Sequence, residues 1–343
     1  LQAAEKYIKH CFTLAVKGLG MVSPNPLVGC VIVKDDNIAS EGYHQQYGGV
    51  HAEVNAIQSL PSYINPGDCT LYVNLEPCSH HGKTPPCADL IIKKGFKKVV
   101  ICNTDPNPLV AGLGIKKLKQ AGIDVISGVL ESEGRELNKA FFIFHEKKRP
   151  FIILKWAQST DGFIAAAGGK MHVISSPEAL RFSHSIRARV DAIVVGKNTV
   201  LNDNPRLSTR LVEGKNPIRI ILGNIPEHKS NLLVFNSEST TIIINSLKNK
   251  KKDTINWVKN ECDNHIHFLV NYLYQNQVGS LLVEGGTTTI DYFLEEGLWD
   301  EIHVFINPDL TLKDGVKAPN IKLNVDYQLL NGTKHYIIHQ QES

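Results

Sequence analysis

No apolar run in this chain approaches the ~20 residues that a helical membrane span requires, which excludes a membrane protein of that kind. Low-complexity tracts, tail-like polar stretches and tandem repeats are also missing, so neither a disordered scaffold nor a solenoid fits. Charge of one sign is not in excess: 37 Lys and Arg stand against 34 Asp and Glu, for a formal net charge of +3. The densest basic group, His145-Glu146-Lys147-Lys148-Arg149, reads as a solvated linker rather than a nucleic-acid patch. Cysteine is sparse and odd in number, seven, without the spacing of a disulfide framework. Cys11, Cys30, Cys69 and Cys102 lie in or beside apolar runs and read as buried small hydrophobes, whereas Cys262, between Glu261 and Asp263, reads as surface. Such thiols suit a reducing cytoplasm. The start, Leu1-Gln2-Ala3-Ala4-Glu5-Lys6, lacks the charged-then-apolar layout of a secretory signal and has no methionine, as a trimmed chain would.

What is present suffices for two cores: 42% of 343 residues are hydrophobic. Apolar residues recur at helical spacing over 2–19 and stop at Gly18 and Gly20. The rigid turn Ser23-Pro24-Asn25-Pro26 leads to a buried strand over 27–33, and Asp35-Asp36-Asn37 turns into a second strand ending near Tyr43. A helix over 51–60, a strand over 69–75, a helix over 88–94 and strands at 99–102 and 122–126 follow. This order predicts an α/β domain over 1–146, a mixed sheet with helices on both faces. A second α/β domain, 150–343, starts with the strand Phe151-Ile152-Ile153-Leu154-Lys155-Trp156-Ala157. A helix is expected at 177–188, strands at 191–196, 218–222, 241–244 and 280–283, and a helical segment at 254–261. Glu284-Gly285-Gly286-Thr287-Thr288-Thr289 then opens a helix, an arrangement that sets backbone N–H groups against a phosphate. The apolar segment 299–306 is expected to serve a subunit interface.

One stretch carries chemistry. His51-Ala52-Glu53 and then Glu76-Pro77-Cys78 and Cys87 supply a histidine and two cysteines, the set a catalytic zinc uses when its fourth position is kept for water. A lone histidine or cysteine is usually a core residue. Here the order, Pro77 and the nearby Glu53 make the three a metal site, in the His-x-Glu and Pro-Cys…Cys signature of zinc-dependent deaminases. Zinc (Zn2+) lowers the pKa of water towards ~7. Glu53, which is not a ligand, takes the water's proton and passes it to the ring nitrogen and the departing ammonia. His51 and Glu53 are expected in the first turn of their helix, with its N–H groups towards the metal. Glu76 reads as a support residue. Asn25 suits either a pyrimidine edge or an Asx turn before proline.

Eight residues separate Cys78 from Cys87, where nucleoside and transfer-RNA deaminases carry Cys-x-x-Cys. The insert Pro-Cys-Ser-His-His-Gly-Lys-Thr-Pro-Pro-Cys resembles the bifunctional riboflavin-biosynthesis deaminase–reductase family. So do Pro24-Asn25-Pro26-x-Val28-Gly29 and His51-Ala52-Glu53-Val54-Asn55-Ala56. Past the linker, Lys155-Trp156-Ala157-Gln158-Ser159-Thr160-Asp161-Gly162, Asp191-Ala192-Ile193 with Gly196, Thr199-Val200-Leu201, Asp203-x-Pro205-x-Leu207, Arg210 and Glu284-Gly285-Gly286 resemble its reductase half. The likeness covers nearly the whole chain.

The resemblance implies a cytidine-deaminase-like N-terminal domain that hydrolyses the 2-amino group of a diamino-hydroxypyrimidine bearing a phosphoribosylamino arm. It also implies a dihydrofolate-reductase-like C-terminal domain that reduces that arm to ribityl with NADPH. It places Ala157, Val173, Thr199, Asp203, Glu284, Gly285, Gly286, Thr287 and Thr288 at the cofactor. At the deaminase substrate it places Asn25, His44, Lys83 and Thr84, the last two within a loop whose His80 and His81 are further donors for a ribose phosphate. At the reductase substrate it places Met171, Arg187, Leu207, Arg210 and Glu284, with the two arginines set to pair a phosphate bidentately. The family's Gly-x-Ser-x-Trp-Ile-Thr reads Gly169-Lys170-Met171-His172-Val173-Ile174-Ser175 here, and Asn204 replaces a second aspartate. Losing a hydroxyl and an indole is expected to alter affinity more than hydride transfer, which the cofactor carries. A homo-oligomer acting on small phosphoribosylaminopyrimidine molecules is expected. Two other readings compete. One is a deaminase with a catalytically silent C-terminal dimerisation module; the other is a nucleic-acid deaminase, disfavoured by the cysteine spacing and the lack of a basic stripe.

Overall fold

A computed structural model of the chain describes residues 2–79, 85–108, 110–167, 173–226, 229 and 231–340. Two units divide it, Leu1–Lys148 and Arg149–Ser343. In the first, the elements run α1 (Gln2–Val16), β1 (Gly29–Lys34), β2 (Asn37–Tyr43), α2 (Ala52–Gln58), β3 (Thr70–Leu75), α3 (Cys87–Lys94), β4 (Lys98–Asn103), α4 (Leu113–Gln120), β5 (Asp124–Ser127), α5 (Glu131–Leu137) and α6 (Lys139–Glu146). The sheet order is β2-β1-β3-β4-β5, with β1 antiparallel to both neighbours and β3, β4 and β5 parallel.

The strands read as unbroken apolar runs because both faces of the sheet are covered. Side chains alternate along a strand. Cys30 and Ile32 therefore join Ala52, Ala56, Ile91 and Leu118 on one face, while Val31 and Val33 join Tyr7, Ile8 and Cys11 on the other. Gly42 sets the depth of α2: a Cβ there would lie 2.4 Å from Ala56 N and 2.7 Å from Ala52 O. Only glycine lets the helix backbone come that close to β2. The helix expected from residue 51 starts one residue later, and His51 is its extended N-cap.

The second unit contains β6 (Phe151–Ser159), β7 (Phe163–Ala166), α7 (Pro177–Arg187), β8 (Ala192–Gly196), α8 (Lys197–Asp203), β9 (Ile218–Leu222), β10 (Thr241–Asn245), β11 (Lys250–Lys252), β12 (Ile255–Lys259), α9 (His265–Gln275), β13 (Ser280–Glu284), α10 (Thr287–Glu295), β14 (Glu301–Asn307), β15 (Gly315–Lys317), β16 (Tyr327–Leu330) and β17 (Thr333–His339). Ten strands form one sheet in the order β11-β12-β10-β9-β8-β13-β6-β14-β17-β16, and β15 pairs with β7. Strands β12 through β14 in that order are mutually parallel. Ile152, Leu154 and Trp156 of β6 pack with Leu269 and Leu273 of α9 and Phe293 of α10. Lys155 projects to the opposite face.

Three expectations need correction here. Residues 254–261 are not helical: Ile255-Asn256-Trp257-Val258 forms β12, parallel to β10, because β-branched and aromatic residues found an open sheet edge. The helix begins later, at α9, where Asn264 accepts from Ile266 N and His267 N at 3.0 Å each. Segment 299–306 is not a free surface, since β14 lies between β6 and β17 with Val304 and Phe305 fully buried. Nor is Arg149 a solvated linker residue. It is buried and forks onto Asp300, Nη1 to Oδ2 at 2.6 Å and Nη2 to Oδ1 at 2.7 Å. The thiols behave as expected: Cys11, Cys30, Cys69 and Cys102 are buried and Cys262 is exposed.

Candidate active sites

His51 caps α2, Cys78 lies three residues past β3, and Cys87 is the first residue of α3. Chain segments far apart in sequence are thus brought to one end of the sheet. His51 Nδ1 stands 3.6 Å from Cys78 Sγ and 3.3 Å from Cys87 Sγ, and the three donor atoms lie within 4.8 Å of one another. A tetrahedral zinc with bonds of about 2.0–2.1 Å to nitrogen and 2.3 Å to sulfur has N···S edges of about 3.5 Å. The observed distances fit that ion. Hydrogen bonds from the Cys87 thiol, His51 and Cys87 N–H hold the Cys78 thiol well below its ordinary pKa, so it is the first to become the thiolate a metal requires.

Glu53 lies in the first turn of α2, buried, beside the three donors and not one of them. Burial, reinforced by Cys78, pushes its carboxyl up to about 7. A group that holds and releases protons near neutrality suits proton transfer.

Asn25 and His44 form one unit next to the metal donors. The His44 and His51 rings meet edge to face with centroids 5.7 Å apart. His44 Nδ1 lies 2.9 Å from Val50 O, and a carbonyl can only accept, so Nδ1 carries the hydrogen. Burial lowers the His44 pKa, which keeps the ring neutral and leaves Nε2 a lone pair. Asn25 Nδ2, 3.1 Å away, must then donate to Nε2. The amide is thereby oriented, and Asn25 Oδ1 is left as an acceptor. The loop beneath is pinned by Asn74 and Asn138, which bracket Gly29 N, Leu27 N and Leu27 O.

Glu76 acts as the support residue expected of it: its carboxylate accepts from Asp105 N, Gly112 N and Ile115 N at 3.2, 2.9 and 3.0 Å. Asp105 itself was not singled out from the sequence. Burial pushes its carboxyl up to about 7, with Glu76 and Cys78 close enough to add to the shift. Its signal was positional, a carboxylate just past the strand parallel to the one that ends before Cys78. His80, His81, Lys83 and Thr84 lie outside the described residues.

In the second unit Glu284 ends β13 and Arg187 ends α7. Arg187 Nη2 donates to Glu284 Oε2 at 2.5 Å and Nε to Oε1 at 3.2 Å, while Nη1 donates to Ser208 O at 3.2 Å. Lys155 Nζ lies 3.9 Å from Glu284 Oε1. Burial alone would raise the Glu284 pKa, but the charges of Arg187 and Lys155 bring it below its ordinary value. Burial lowers that of Lys155 against the pull of Glu284. A lysine that interrupts an apolar strand was the overlooked signal, since a charged side chain is seldom drawn into a sheet's interior, even part-buried, without a task. His184, also buried, is pushed down to about 4 by burial and then by Arg187 and Arg210.

The Arg187 fork is therefore engaged by Glu284. Arg210 is exposed as a residue, and partial desolvation of its guanidinium, then the charges of Arg187 and Arg206, lower its pKa. Leu207 is buried with φ 52°. Ala157 follows Lys155 on the same face of β6. Asn204 caps α8 in the left-handed region, φ 41°, and accepts from Leu233 N at 2.8 Å, which suits asparagine there. A cavity of about 390 Å³ opens at the C-terminal ends of β8, β9 and β10. Of the residues expected at the cofactor, Thr199, Gly286 and Thr288 line it, and Gly286 N donates to Thr199 Oγ1 at 3.0 Å. Backbone N–H and hydroxyl groups beside an apolar wall fit a dinucleotide. Thr287 instead donates to Lys317 O, Asp203 ends α8, and Val173 is 82% exposed. Met171 lies outside the described residues.

Known proteins resemble the chain on both units. The model of the cytidine and deoxycytidylate deaminase zinc-binding region matches residues 1–103, and that of the RibD C-terminal domain matches 150–312. Riboflavin biosynthesis protein RibD of Aquifex aeolicus is 41% identical over 316 residues, covering 89% of this chain and 87% of its own. RibD of Bacillus amyloliquefaciens is 40% identical over 342 residues, covering 96% and 91%. Among solved structures, a diaminohydroxyphosphoribosylaminopyrimidine deaminase/5-amino-6-(5-phosphoribosylamino)uracil reductase from Thermotoga maritima superposes with a TM-score of 0.87 at 36% identity, covering 98% of this chain and 99% of that one.

Proposed function

The chain belongs to the RibD family and is a bifunctional deaminase and reductase of riboflavin biosynthesis; from that premise we propose how its residues divide the two reactions. Residues 1–146 carry the deamination and 150–343 the reduction. In the first reaction water replaces the 2-amino group of 2,5-diamino-6-(5-phosphoribosylamino)pyrimidin-4-one, and ammonia leaves. Held by His51, Cys78 and Cys87, zinc supplies the Lewis acidity that brings a water's pKa to ~7. Glu53 accepts the water's proton and returns protons to the ring nitrogen and the departing amine. Asn25 Oδ1, oriented by His44, accepts from the N–H edge of the pyrimidine.

In the second reaction the ribosylamino arm opens to an imine whose C1 takes a hydride and whose nitrogen takes a proton. NADPH supplies the hydride. We assign the proton to Lys155, part-buried beside Glu284, and the substrate phosphate to Arg210, whose guanidinium is not held by a carboxylate among the described residues. A cytoplasmic homo-oligomer is the state proposed. Its support is that all seven thiols are free and that the sheet's edge strand β16 exposes Leu329.

The match of the two N···S distances to a zinc tetrahedron, with a buried non-ligand carboxylate alongside, carries the deaminase assignment. Cys78→Ser and Cys87→Ser should each lose zinc and ammonia release together while still oxidising NADPH when given the deaminated intermediate. A variant that lost zinc and kept deaminating would overturn the assignment.

A further inference from the structure

Strand order β6-β14-β17 puts Phe305 of β14 between Lys155 of β6 and His335 of β17. In register Phe305 lies opposite His335 and opposite Ala157, two residues on from Lys155, so the three side chains share one face of the sheet. Lys155 Nζ stands over the Phe305 ring, 5.4 Å from its centroid. That is within the ~6 Å at which the negative face of an aromatic ring attracts a cation.

The ring is held from its far side. Phe305 and His335 stack with centroids 4.4 Å apart and planes 7° from parallel, and Phe182 of α7 packs on both. Both stacked residues are buried. Hydrogen bonds then fix His335. Gln328 Nε2 lies 2.5 Å from His335 Nδ1, His335 Nε2 lies 2.8 Å from His303 Nδ1, and His303 Nε2 lies 2.5 Å from Glu301 Oε1. An amide nitrogen can only donate and a carboxylate can only accept. The chain therefore runs one way, from Gln328 through His335 and His303 to Glu301, and every bond is made with both rings neutral. Burial, then His303, pushes His335 down to about 4. The stack is thus uncharged wherever a lysine titrates.

We propose that Phe305 is a positioning residue of the reductase: its ring, locked by the neutral Gln328–His335–His303–Glu301 chain, holds the Lys155 ammonium and sets the pH above which the proton donor is lost. The proposal rests on the assignment of the proton to Lys155 and names what keeps that proton in place. Burial and Arg187 act against the ammonium, while Glu284 supports it. His184 of α7, the other titratable group near Lys155, is neutral at that pH. The ring adds to the side of Glu284. Deprotonated Lys155 cannot supply the imine nitrogen, so turnover falls as pH rises through the lysine's pKa. Removing the ring lowers that pKa and moves the fall to lower pH.

The test follows NADPH oxidation by the full chain with saturating deaminated intermediate, as kcat against pH. Phe305→Leu should move the basic limb down by about 0.5–1.5 units, the range of a cation–π contact. His335→Leu should move it the same way by less. The double variant should move it no further than Phe305→Leu, because a neutral His335 reaches the lysine only through the ring. Where the buried Phe305→Leu does not fold, His335→Leu alone decides. A merely structural role lowers kcat at every pH and leaves the limb in place, and that result would overturn the proposal. Lys155→Met checks the assignment beneath it and should lose about 10²–10⁴-fold in kcat. Wild-type turnover and an unchanged limb in Lys155→Met would overturn the Lys155 assignment itself.

Discussion

Glu53 is buried in the first turn of α2 and is not among the three metal donors, so its replacement separates binding from proton transfer. Glu53→Gln should keep zinc and lose ~10²–10⁴-fold in ammonia release, the usual contribution of a general acid–base group. Metal analysis and a steady-state assay on one sample check this. Near wild-type turnover with zinc in place would remove Glu53 from the mechanism. Asn25 and His44 should behave as one unit. Asn25→Ala removes an acceptor, and His44→Phe frees the amide to turn. Each should cost about 0.5–1.5 kcal/mol in kcat/KM, and the double variant should cost little more than either alone. Additive losses would separate the two. At this scale the metal set was legible because residue type, order and spacing all pointed one way. Asp105 and Lys155 were not, because each is a single charged residue whose meaning comes from burial and neighbours. The engagement of Arg187 by Glu284 was also hidden, since nothing in the chain order relates residues 187 and 284.

Elements were legible where burial on both faces left long apolar runs or where capping residues marked an end. β9, at Ile218–Leu222, coincides with the strand expected there. Residues 254–261 misled because a short stretch with apolar positions at 255, 257 and 258 satisfies either period, and an available edge beside β10 decided for a strand. Segment 299–306 misled because an apolar run shows that a surface is buried but not against what. Arg149 was read from its basic neighbours, whereas its role comes from Asp300, far along the chain. That pair gives a prediction for the element it anchors. Asp300 also accepts from Ile152 N at 2.8 Å, so Asp300→Ala strands a buried guanidinium and a backbone donor at the start of β6. The loss should be about 3–5 kcal/mol, measured by denaturant unfolding of the second unit. A change under about 1 kcal/mol would mean that water replaces the carboxylate at little cost.

On the scale of the whole molecule, each unit buries clusters of its own, Tyr7 to Phe142 in the first and Ile152 to Val304 in the second. Two active sites share one chain, and the product of the zinc site is the substrate of the nucleotide site. Chelation should therefore abolish ammonia release while leaving reduction of supplied deaminated intermediate within about twofold of the untreated enzyme, because no reductase residue assigned above is a metal ligand. The most direct test measures ammonia and NADP+ in a single incubation of the full chain with the phosphorylated diaminopyrimidine and NADPH. Equal amounts of both are expected at completion, and ammonia alone when NADPH is left out. Ammonia without NADP+, even after the deaminated intermediate is added, would contradict this and leave the second unit a silent module.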